Sequence, residues 1–388
     1  MEAPGGRRSV VALAACSDYD RDRVLRAVRR ALDLLGPAAL PRPAAAGRPV
    51  LLKPNMLRPS GAEKGVTTHP AVFSAVARCL RERGLTLSYG DSPNGLFTPQ
   101  SVAGSSGLMD EAVALGIPLA DFQTGSDVAF PRGVRNRLFS IARGVTEAGA
   151  LVNLPRLKTH GLTTMTGALK NTFGVIPGGR KGEYHITHPD VESFSRMIAD
   201  LNGAVRSSLV VMDAIMAMEG NGPASGRLRP VGLIIASADP VAVDAVGCRI
   251  MGIDPRAIAH IRMAEEAGLG NAQPQQVEIV GETLDDFICR DFDVRARPLG
   301  QNIPPFVARL AKSLIVSKPM IDPEVCTRCG ECTAACPTTP SSLVQTNKDV
   351  PRYNYATCIR CYCCQETCPH GAISIRTAPL SRFFEDRR

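Results

Sequence analysis

The sequence predicts an α/β domain followed by a small, cysteine-rich α+β module. Two observations support this organisation. From residue 9 to about residue 285, short apolar runs alternate with segments of helical periodicity, which is typical of a largely parallel sheet. Further along the chain, two cysteine runs with the same spacing form an internal repeat. We therefore predict an α/β domain at 1–285, a connector at 286–318, the cysteine-rich module at 319–377 and a loose tail at 378–388.

Apolar runs and helix signals locate the individual elements in chain order. The chain begins with a strand at 9–16 and a helix at 20–35, which Gly36 ends. Pro70 at the first turn and Gly84 after the end favour a helix at 70–83. The other predicted strands are at 49–53, 85–89, 138–142, 149–154, 208–212, 231–236 and 276–280, and the other predicted helices are at 165–173, 190–205, 240–251 and 255–267. This alternation predicts a Rossmann-like sheet with flanking helices.

The connector contains one further helical pattern, at 304–316. Its apolar spacing is compatible with a helix on a membrane surface. A bridging helix packed between the two parts of the chain is the favoured interpretation.

Each cysteine run reads C-x2-C-x2-C-x3-C-P, the spacing of paired [4Fe–4S] clusters in bacterial ferredoxins. Two-residue gaps let a short loop hold three thiolates around one face of a cube, and the fourth cysteine begins a helix and leans to the other cube. Zinc knuckles are the alternative, but structural zinc sites usually use two separated C-x2-C pairs. We therefore predict a bacterial-ferredoxin-like module with two [4Fe–4S] clusters, the first held by Cys326, Cys329, Cys332 and Cys368 and the second by Cys358, Cys361, Cys364 and Cys336.

Composition and charge restrict the partners and the compartment. No segment approaches the length of about 18 apolar residues that a membrane span requires, and the apolar stretch 10–16 is interpreted as a strand, not a signal peptide. Thirteen cysteines in a long chain without a signal favour metal binding in a reducing cytoplasm. The formal net charge is +8, but the arginines of the 20–35 helix are mixed with aspartates. That mixture favours a solvated helix face over a nucleic-acid surface, so we expect neither a nucleic-acid partner nor a membrane span.

Polar side chains repeatedly follow the predicted strands at their carboxyl ends, the edge where open α/β sheets bind ligands. Aspartate and asparagine also cap helices there, and for Asp239, directly before Pro240, both interpretations stay open. No capping role is evident for Lys158 or His160, which favours a functional role for both. The polar residues at this edge include Asn55, Asp91, Lys158, His160, Asp213, Glu219 and Asn221.

The densest group of such residues lies between 158 and 188 and includes Lys158, His160, Lys170, Asn171, Arg180, Lys181, His185 and His188. The glycine loop at 177–182, with its two cations, is suited to hold an anionic group. His185 and His188 are candidates for a further metal or for proton transfer, and the alternative is ordinary hydrogen-bonded histidines. No G-x-G-x-x-G, G-x4-G-K-[ST] or G-x-S-x-G motif is present, so NAD(P) hydride transfer, P-loop ATP hydrolysis and serine hydrolysis lack support.

The chain resembles the domain-of-unknown-function 362 family, iron–sulfur type, with a fused two-cluster ferredoxin module. The segments that carry the resemblance are LLKPN (51–55), GDSPNG (90–95), LVNLPRLKTH (151–160), GALKNTFGVIPG (167–178), VVMDAIMAMEGNGPASG (210–226) and SADPVAVDAVGCRIMGIDP (237–255). The resemblance implies the architecture, and it implies chemistry only through the clusters. An Ala-Ile pair follows the second cysteine run at 372–373, but no such pair follows the first. We therefore expect the packing around the first cluster to differ.

A second, shorter resemblance concerns the stretch from Lys170 to Gly178. It is similar to the segment of nickel-pincer lactate racemases in which a lysine covalently carries the organometallic cofactor. This resemblance implies such a role for Lys170.

The leading hypothesis is an iron–sulfur oxidoreductase. A donor such as ferredoxin or flavodoxin would supply low-potential electrons, which two clusters pass to a small anionic substrate at the C-terminal edge of the α/β sheet. The predicted proton donors are Lys158, His160, Lys170 and His185, and the predicted substrate-binding residues are Asn55, Asp91, Asn171, Arg180, Lys181, Asp213, Glu219 and Asn221. The alternatives are an electron-transfer subunit for a partner enzyme, and an isomerase or transferase with a metal or organic cofactor on Lys170.

Overall fold

The structure of the protein is a computed structural model that describes residues 8–42, 47–294 and 316–376. Nearly all of the predicted helix at 304–316 and the whole predicted tail at 378–388 lie outside the described residues.

The α/β domain alternates strands and helices along most of its length. Its strands are β1 (Ser9–Ala15), β2 (Val50–Pro54), β3 (Leu87–Tyr89), β4 (Gly125–Ala129), β5 (Leu138–Ala142), β6 (Ala150–Leu154), β7 (Arg156–His160), β8 (Thr164–Thr166), β9 (Leu209–Glu219), β10 (Arg227–Ser237) and β11 (Val277–Gly281). Its helices are α1 (Arg21–Leu35), α2 (Pro70–Arg81), α3 (Pro99–Ser106), α4 (Leu108–Ala114), α5 (Arg143–Thr146), α6 (Ala168–Asn171), α7 (Arg180–Thr187), α8 (Val191–Ala204), α9 (Pro240–Ile250) and α10 (Ala259–Glu266).

The main sheet is mixed and mostly parallel, with the strand order β11-β1-β10-β9-β6-β2-β3. The strands from β9 to β3 are parallel neighbours, whereas β10 is antiparallel to both β1 and β9. Strand β7 extends the sheet by pairing in parallel with the second half of β9, and β8 pairs with β7. This confirms the predicted class of an α/β domain with a largely parallel sheet.

Apolar side chains on both faces of the sheet are covered by helices. Along β1, Val11 and Leu13 pack into the core on one face with α8, α9 and α10, while Ala12 and Ala14 pack on the other face with α1 and α2. Alternate residues of a strand point to opposite faces, so a continuous apolar run identifies a strand that is buried on both sides. This is why the sequence located β1, β2 and β6 correctly within one or two residues.

The structure contains elements that were not predicted, namely α3, α4, β4, α5 and α7, and near the cavity it differs from the prediction between residues 155 and 175. The predicted helix at 165–173 begins only at Ala168, because 164–166 form β8, and it continues as a 3₁₀ turn at Thr172–Val175. Strand β7 was not predicted, since its buried residues include Arg156, Lys158 and His160 and therefore give no apolar run.

The cysteine-rich module consists of short elements around two similar loops. They are β12 (Lys318–Ile321), α11 (Glu331–Ala334), β13 (Leu343–Val344), β14 (Arg352–Tyr353), α12 (Cys363–Thr367) and β15 (Ile373–Arg376), with β12 paired to β15 and β13 to β14. Arg328 (φ 62°) and Arg360 (φ 64°) occupy equivalent positions, each directly before the second cysteine of its run. Gly330 and Tyr362, both left-handed, cap the helix that follows each loop. The repeat in the sequence is therefore also a repeat of backbone conformation.

Within the part of the chain that the structure describes, no helix combines the length and the apolar character needed to cross a membrane.

Candidate functional site at the junction of the two parts

A cavity of about 120 Å³ lies where the carboxyl ends of the sheet strands meet the cysteine-rich module. The α/β domain contributes the ends of β2, β3 and β7, the end of α6 and the loop before α7, and the module contributes α12. The charged or titratable side chains that line the cavity are Asp91, Lys158, His160, Lys170, Lys181, His185, Cys363 and Glu366. A small molecule of polar or anionic character suits a cavity of this size and composition.

A buried ion pair between Lys53 and Asp91 lies at one wall of the cavity. Lys53 at the end of β2 and Asp91 just after β3 lie on neighbouring parallel strands, and their Nζ and Oδ1 atoms are 2.7 Å apart. The same ammonium donates to the carbonyl oxygen of Asn171 (2.6 Å), and Oδ2 of Asp91 accepts from the amide of Met56 (2.7 Å). Burial lowers the pKa of Lys53, although Asp91 opposes that change. The pair is therefore held by both strands and orders the loops that follow them.

Lys158 on β7 presents a buried ammonium to the cavity. Its Nζ donates to Oδ1 of Asn55 (2.6 Å) and to the carbonyl oxygen of Val66 (2.9 Å). Burial lowers the pKa of Lys158 to about 7. An amine with a pKa near neutrality can both accept and release a proton under physiological conditions.

His160 and Glu366 form a contact between the two parts of the chain. Nδ1 of His160 accepts from the amide of Leu162 (3.1 Å), so the proton of the neutral ring lies on Nε2, which is 3.1 Å from Oε1 of Glu366. Burial lowers the pKa of His160. Burial also opposes ionisation of Glu366, but the contact with His160 and the charge of Lys170 outweigh it and lower the pKa of Glu366 to about 2. A neutral imidazole therefore faces an ionised carboxylate.

Lys170 and His185 lie against two aromatic rings. Nζ of Lys170 is 5.0 Å from the ring centroid of Phe173 and 5.7 Å from that of Phe194. His185 stacks on Phe194 with ring centroids 4.7 Å apart, and its buried Nδ1 has no hydrogen-bond partner among the described residues. Burial lowers the pKa of Lys170 and lowers that of His185 to about 3. His185 is therefore neutral at physiological pH.

The glycine loop at 177–182 closes the cavity on another side. The amide of Gly178 donates to Oγ of Ser92 (2.8 Å), and Nζ of Lys181 donates to the carbonyl oxygens of Ser92 and Pro93. The loop also approaches Gly95 so closely that a Cβ there would be 3.1 Å from the Cα of Gly179. Burial lowers the pKa of Lys181 to about 7.

Four of the predicted substrate-binding residues do not line the cavity, so the structure does not place them with the others. Asp213 accepts from the hydroxyl of Tyr19 (2.9 Å), and Glu219 pairs with Arg227 (3.0 Å). Asn221 donates to the carbonyl oxygen of Ile373 in the module, and Arg180 is exposed at the start of α7. The physical reason for Asp213 and Glu219 is that β9 continues to residue 219, so both are strand residues and do not follow a strand end. Asn55, Asp91, Asn171 and Lys181 do line the cavity.

Of the two interpretations of Asp239, the structure supports the helix cap. Its carboxylate accepts from the amides of Val241 (2.8 Å) and Ala242 (3.1 Å) at the start of α9.

Sequence reasoning missed Glu366 and did not assign Cys363 to the cavity. Both lie inside the second cysteine run. The cysteine spacing there predicts cluster ligands, and no pattern in the intervening residues predicts a second role. Their neighbour Gln365 was missed as well, and it donates to the carbonyl oxygens of Asn221 (2.9 Å) and Gly222 (3.1 Å). A charged residue between two cysteines of a metal-binding run is the one feature that could have indicated this contact.

Two smaller cavities in the module gather the cysteines into two groups of four. One is lined by Cys326, Cys329, Cys332 and Cys368, and the other by Cys336, Cys358, Cys361 and Cys364. Their remaining walls are largely apolar and include Ile321 and Ile373 in the first and Leu343 and Tyr353 in the second. None of these eight cysteines forms a disulfide among the described residues.

In the described ranges, no three side chains of histidine, cysteine, aspartate or glutamate converge closely enough to hold a single metal ion. His185 and His188 also have different surroundings. His185 stacks on Phe194 beside the cavity, whereas Nδ1 of His188 accepts from Nε of Arg135 (3.5 Å).

The comparison with known proteins agrees with this division of the chain. Residues 50–249 match the family described as Domain of unknown function (DUF362). The chain belongs to this family. Residues 318–369 match the 4Fe-4S dicluster domain, so this DUF362 protein carries a domain that binds [4Fe–4S] clusters and serves electron transfer.

Among the relatives of this DUF362 protein is a thylakoid-associated protein of Synechocystis. The two sequences are 35% identical over 260 residues, which is 67% of this chain and 79% of the relative. The name of that relative describes its location and gives no reaction.

Two solved structures share a weaker likeness with the chain. The lactate racemase apoprotein of Thermoanaerobacterium thermosaccharolyticum has a TM-score of 0.41 at 11% identity, and a protein of Thermotoga maritima has a TM-score of 0.34 at 12% identity. Each match covers 65% of this chain and 59% of the other. The likeness is too low to indicate a common activity.

Proposed function

We propose that the protein is an iron–sulfur reductase that transfers low-potential electrons to a small anionic substrate in the junction cavity. One observation carries the proposal. The cavity that holds the buried lysines and His160 is closed by Cys363 and Glu366, which belong to the second cysteine run. A substrate bound there would lie next to the part of the module that is built to hold a cluster.

The two cysteine groups fit a pair of [4Fe–4S] clusters with crossed ligation. Each cavity takes three cysteines from one run and the fourth from the other run, as two-cluster ferredoxins do. Cys326, Cys329, Cys332 and Cys368 would hold the first cluster, and Cys358, Cys361, Cys364 and Cys336 the second. When bound, the clusters supply single electrons.

The side chains of the cavity would position the substrate and deliver protons. Nε2 of His160 lies 3.1 Å from Oε1 of Glu366 at the boundary with the module, which is where a reduced substrate would need a proton. Lys158 would be a second proton donor, because burial brings its pKa to about 7. Cys363 lines the cavity and directly precedes Cys364, one of the four cysteines at the second cluster site.

The experiment is a screen of the anaerobically reduced holoprotein against unsaturated acids and thioesters, with reoxidation followed by absorbance. We expect at least one acceptor to reoxidise the wild type faster than the Lys158→Ala/His160→Ala variant by about a hundredfold, the effect of losing a positioned proton donor. A variant at an exposed lysine, Lys64→Ala, is the control. If every acceptor reoxidised the wild type and the double variant at the same rate, the proposal would be wrong.

The same samples distinguish the two other hypotheses. An electron-transfer subunit would pass electrons to a protein partner equally well with or without Lys158 and His160. A covalent cofactor on Lys170 would appear as an adduct in the intact mass of the wild type and would be lost in Lys170→Ala.

A further inference from the structure

The lysines that line the junction cavity are not matched by carboxylates. Asp91 pairs with Lys53 below the cavity, and Glu366 contacts His160. Within the residues that the structure describes, Lys158, Lys170 and Lys181 have no carboxylate oxygen within ion-pair distance. Three ammonium groups therefore share one small cavity without a direct anionic partner.

The contacts of these lysines are all with neutral groups. Lys158 and Lys181 donate to an amide oxygen and to backbone carbonyl oxygens, and Lys170 lies over two phenylalanine rings. A buried charge without a counter-charge is costly, so such a group either loses its proton or obtains an anion. Because three of these lysines face the same space, one bound anion would compensate them together.

The numbers of lysines and carboxylates at the cavity indicate how much negative charge a bound ligand could compensate. When all four are protonated, the lysines Lys53, Lys158, Lys170 and Lys181 stand against two carboxylates (Asp91 and Glu366), which leaves an excess of two positive charges among these side chains. His160 and His185 do not add to this excess, because both rings are buried and neutral at physiological pH. A ligand with one negative charge would leave half of the excess uncompensated.

We propose that the cavity selects a small dianion, carrying either two carboxylates or one phosphoryl group. This inference rests on the proposed function, since it names the substrate class of the same site. Lys170 would hold one end of the anion, as its Nζ makes no hydrogen bond among the described residues and is free to donate. Lys158 and Lys181 already have acceptors and would contribute charge and further donors.

The test measures binding to the oxidised holoprotein by isothermal titration calorimetry, so that it does not depend on electron transfer. The probes are succinate, butyrate and inorganic phosphate. Succinate and butyrate have the same number of carbon atoms and differ by one carboxylate. A hydrogen-bonded charge pair contributes about 1.5–3 kcal/mol, so we expect the better dianion to bind at least about tenfold more tightly than butyrate.

The variant Lys170→Met should reduce that preference to less than about threefold. The matched control Lys64→Met removes an exposed lysine and should keep the preference unchanged. Iron content and the midpoint of thermal unfolding confirm that both variants are folded. Tighter binding of succinate would assign a dicarboxylate, and tighter binding of phosphate would assign a phosphoryl group.

Equal affinity for all three probes, or no binding of any of them, would overturn the inference. Neither outcome would decide the proposed function, because reoxidation by a monoanionic or uncharged acceptor is measured separately. Conversely, a clear preference for dianions without any reoxidation would support the inference and contradict the reductase.

Discussion

Strand periodicity explains why several polar side chains meet at the cavity. Arg156, Lys158 and His160 alternate along β7, so their side chains lie on the same face of the sheet. All three are buried, and Lys158 and His160 reach the cavity while Arg156 donates to the carbonyl oxygen of Met216. Polar residues buried at alternate positions of a strand give no apolar pattern in the sequence, which is why this face of β7 could not be predicted.

The pKa values of Lys158 and Lys181 predict that anion binding takes up protons. Burial lowers both to about 7 from an ordinary 10.5. A bound anion favours the charged form and raises them again. At pH 6 both amines are already protonated, so binding should take up few protons. At pH 8 both are mostly neutral, so uptake should approach two protons, and Lys170 would add to it because burial also lowers its pKa.

Calorimetry of succinate binding in two buffers with different ionisation enthalpies measures this uptake. The affinity should fall as the pH rises above 7, because protonating the lysines then costs free energy. Glu366 and His185 do not titrate in this range, since their pKa values are about 2 and about 3. An uptake that stays near zero at pH 8 would show that these lysines keep their protons in the free protein.

At the residue scale, the sequence predicted the buried lysines and histidines better than their carboxylate partners. Lys158 and His160 were candidates because they follow the predicted strand at 149–154, although the structure places both on β7, and Lys181 was a candidate because it lies in a glycine loop. Glu366 could not be predicted, because its partner His160 is 206 positions away and the cysteine spacing around it already had an explanation. The same limit applies to Asp213, which does not line the cavity and whose hydrogen-bond partner Tyr19 is distant in sequence.

A buried cap orients the short helix that carries Lys170. Asp244 on α9 accepts from the amides of Ala168 (2.5 Å) and Leu169 (2.9 Å) at the start of α6. Without a side-chain cap of its own, this helix depends on α9 for the two hydrogen bonds. Gly167 is required beside the cap, because a Cβ there would clash with the carboxylate.

We predict that Asp244→Ala destabilises the protein by about 2–4 kcal/mol, since it leaves two buried amides without acceptors. The midpoint of thermal unfolding should fall by several degrees, and binding of succinate should weaken because Lys170 is no longer held in place. Asp286→Ala, at an exposed position, is the control and should change neither. An unchanged midpoint in Asp244→Ala would mean that α6 does not need this cap.

Among the strands, long apolar runs predicted β1, β2 and β6. Near the cavity the sequence contains no apolar run that would predict β7. Pro155 separates β6 from β7, yet both strands pair with successive parts of β9. The pairing of β7 depends on β9, so it could not be inferred from residues 156–160 alone. Tertiary context therefore decides the structure of the segment that carries the chemistry.

At the scale of the whole molecule, hydrogen bonds hold the module against the α/β domain. Gln365 donates to the carbonyl oxygen of Asn221, and Nδ2 of Asn94 donates to Oγ1 of Thr367 (2.6 Å). The sequence predicted both parts of the chain, but it gave no indication that they share a cavity. That arrangement depends on contacts between residues more than 140 positions apart, which leave no local pattern.

If a substrate in the junction cavity lies beside the second cluster, its binding should change that cluster and not the first. Electron paramagnetic resonance of the reduced holoprotein, recorded during a potentiometric titration with and without succinate or phosphate, measures this change. Signals are assigned with Cys364→Ser for the second cluster and Cys332→Ser for the first. The anion should shift the spectrum and lower the potential of the second cluster and leave the first nearly unchanged. A shift confined to the first cluster, or no shift in either when binding is saturated, would show that the substrate does not lie there.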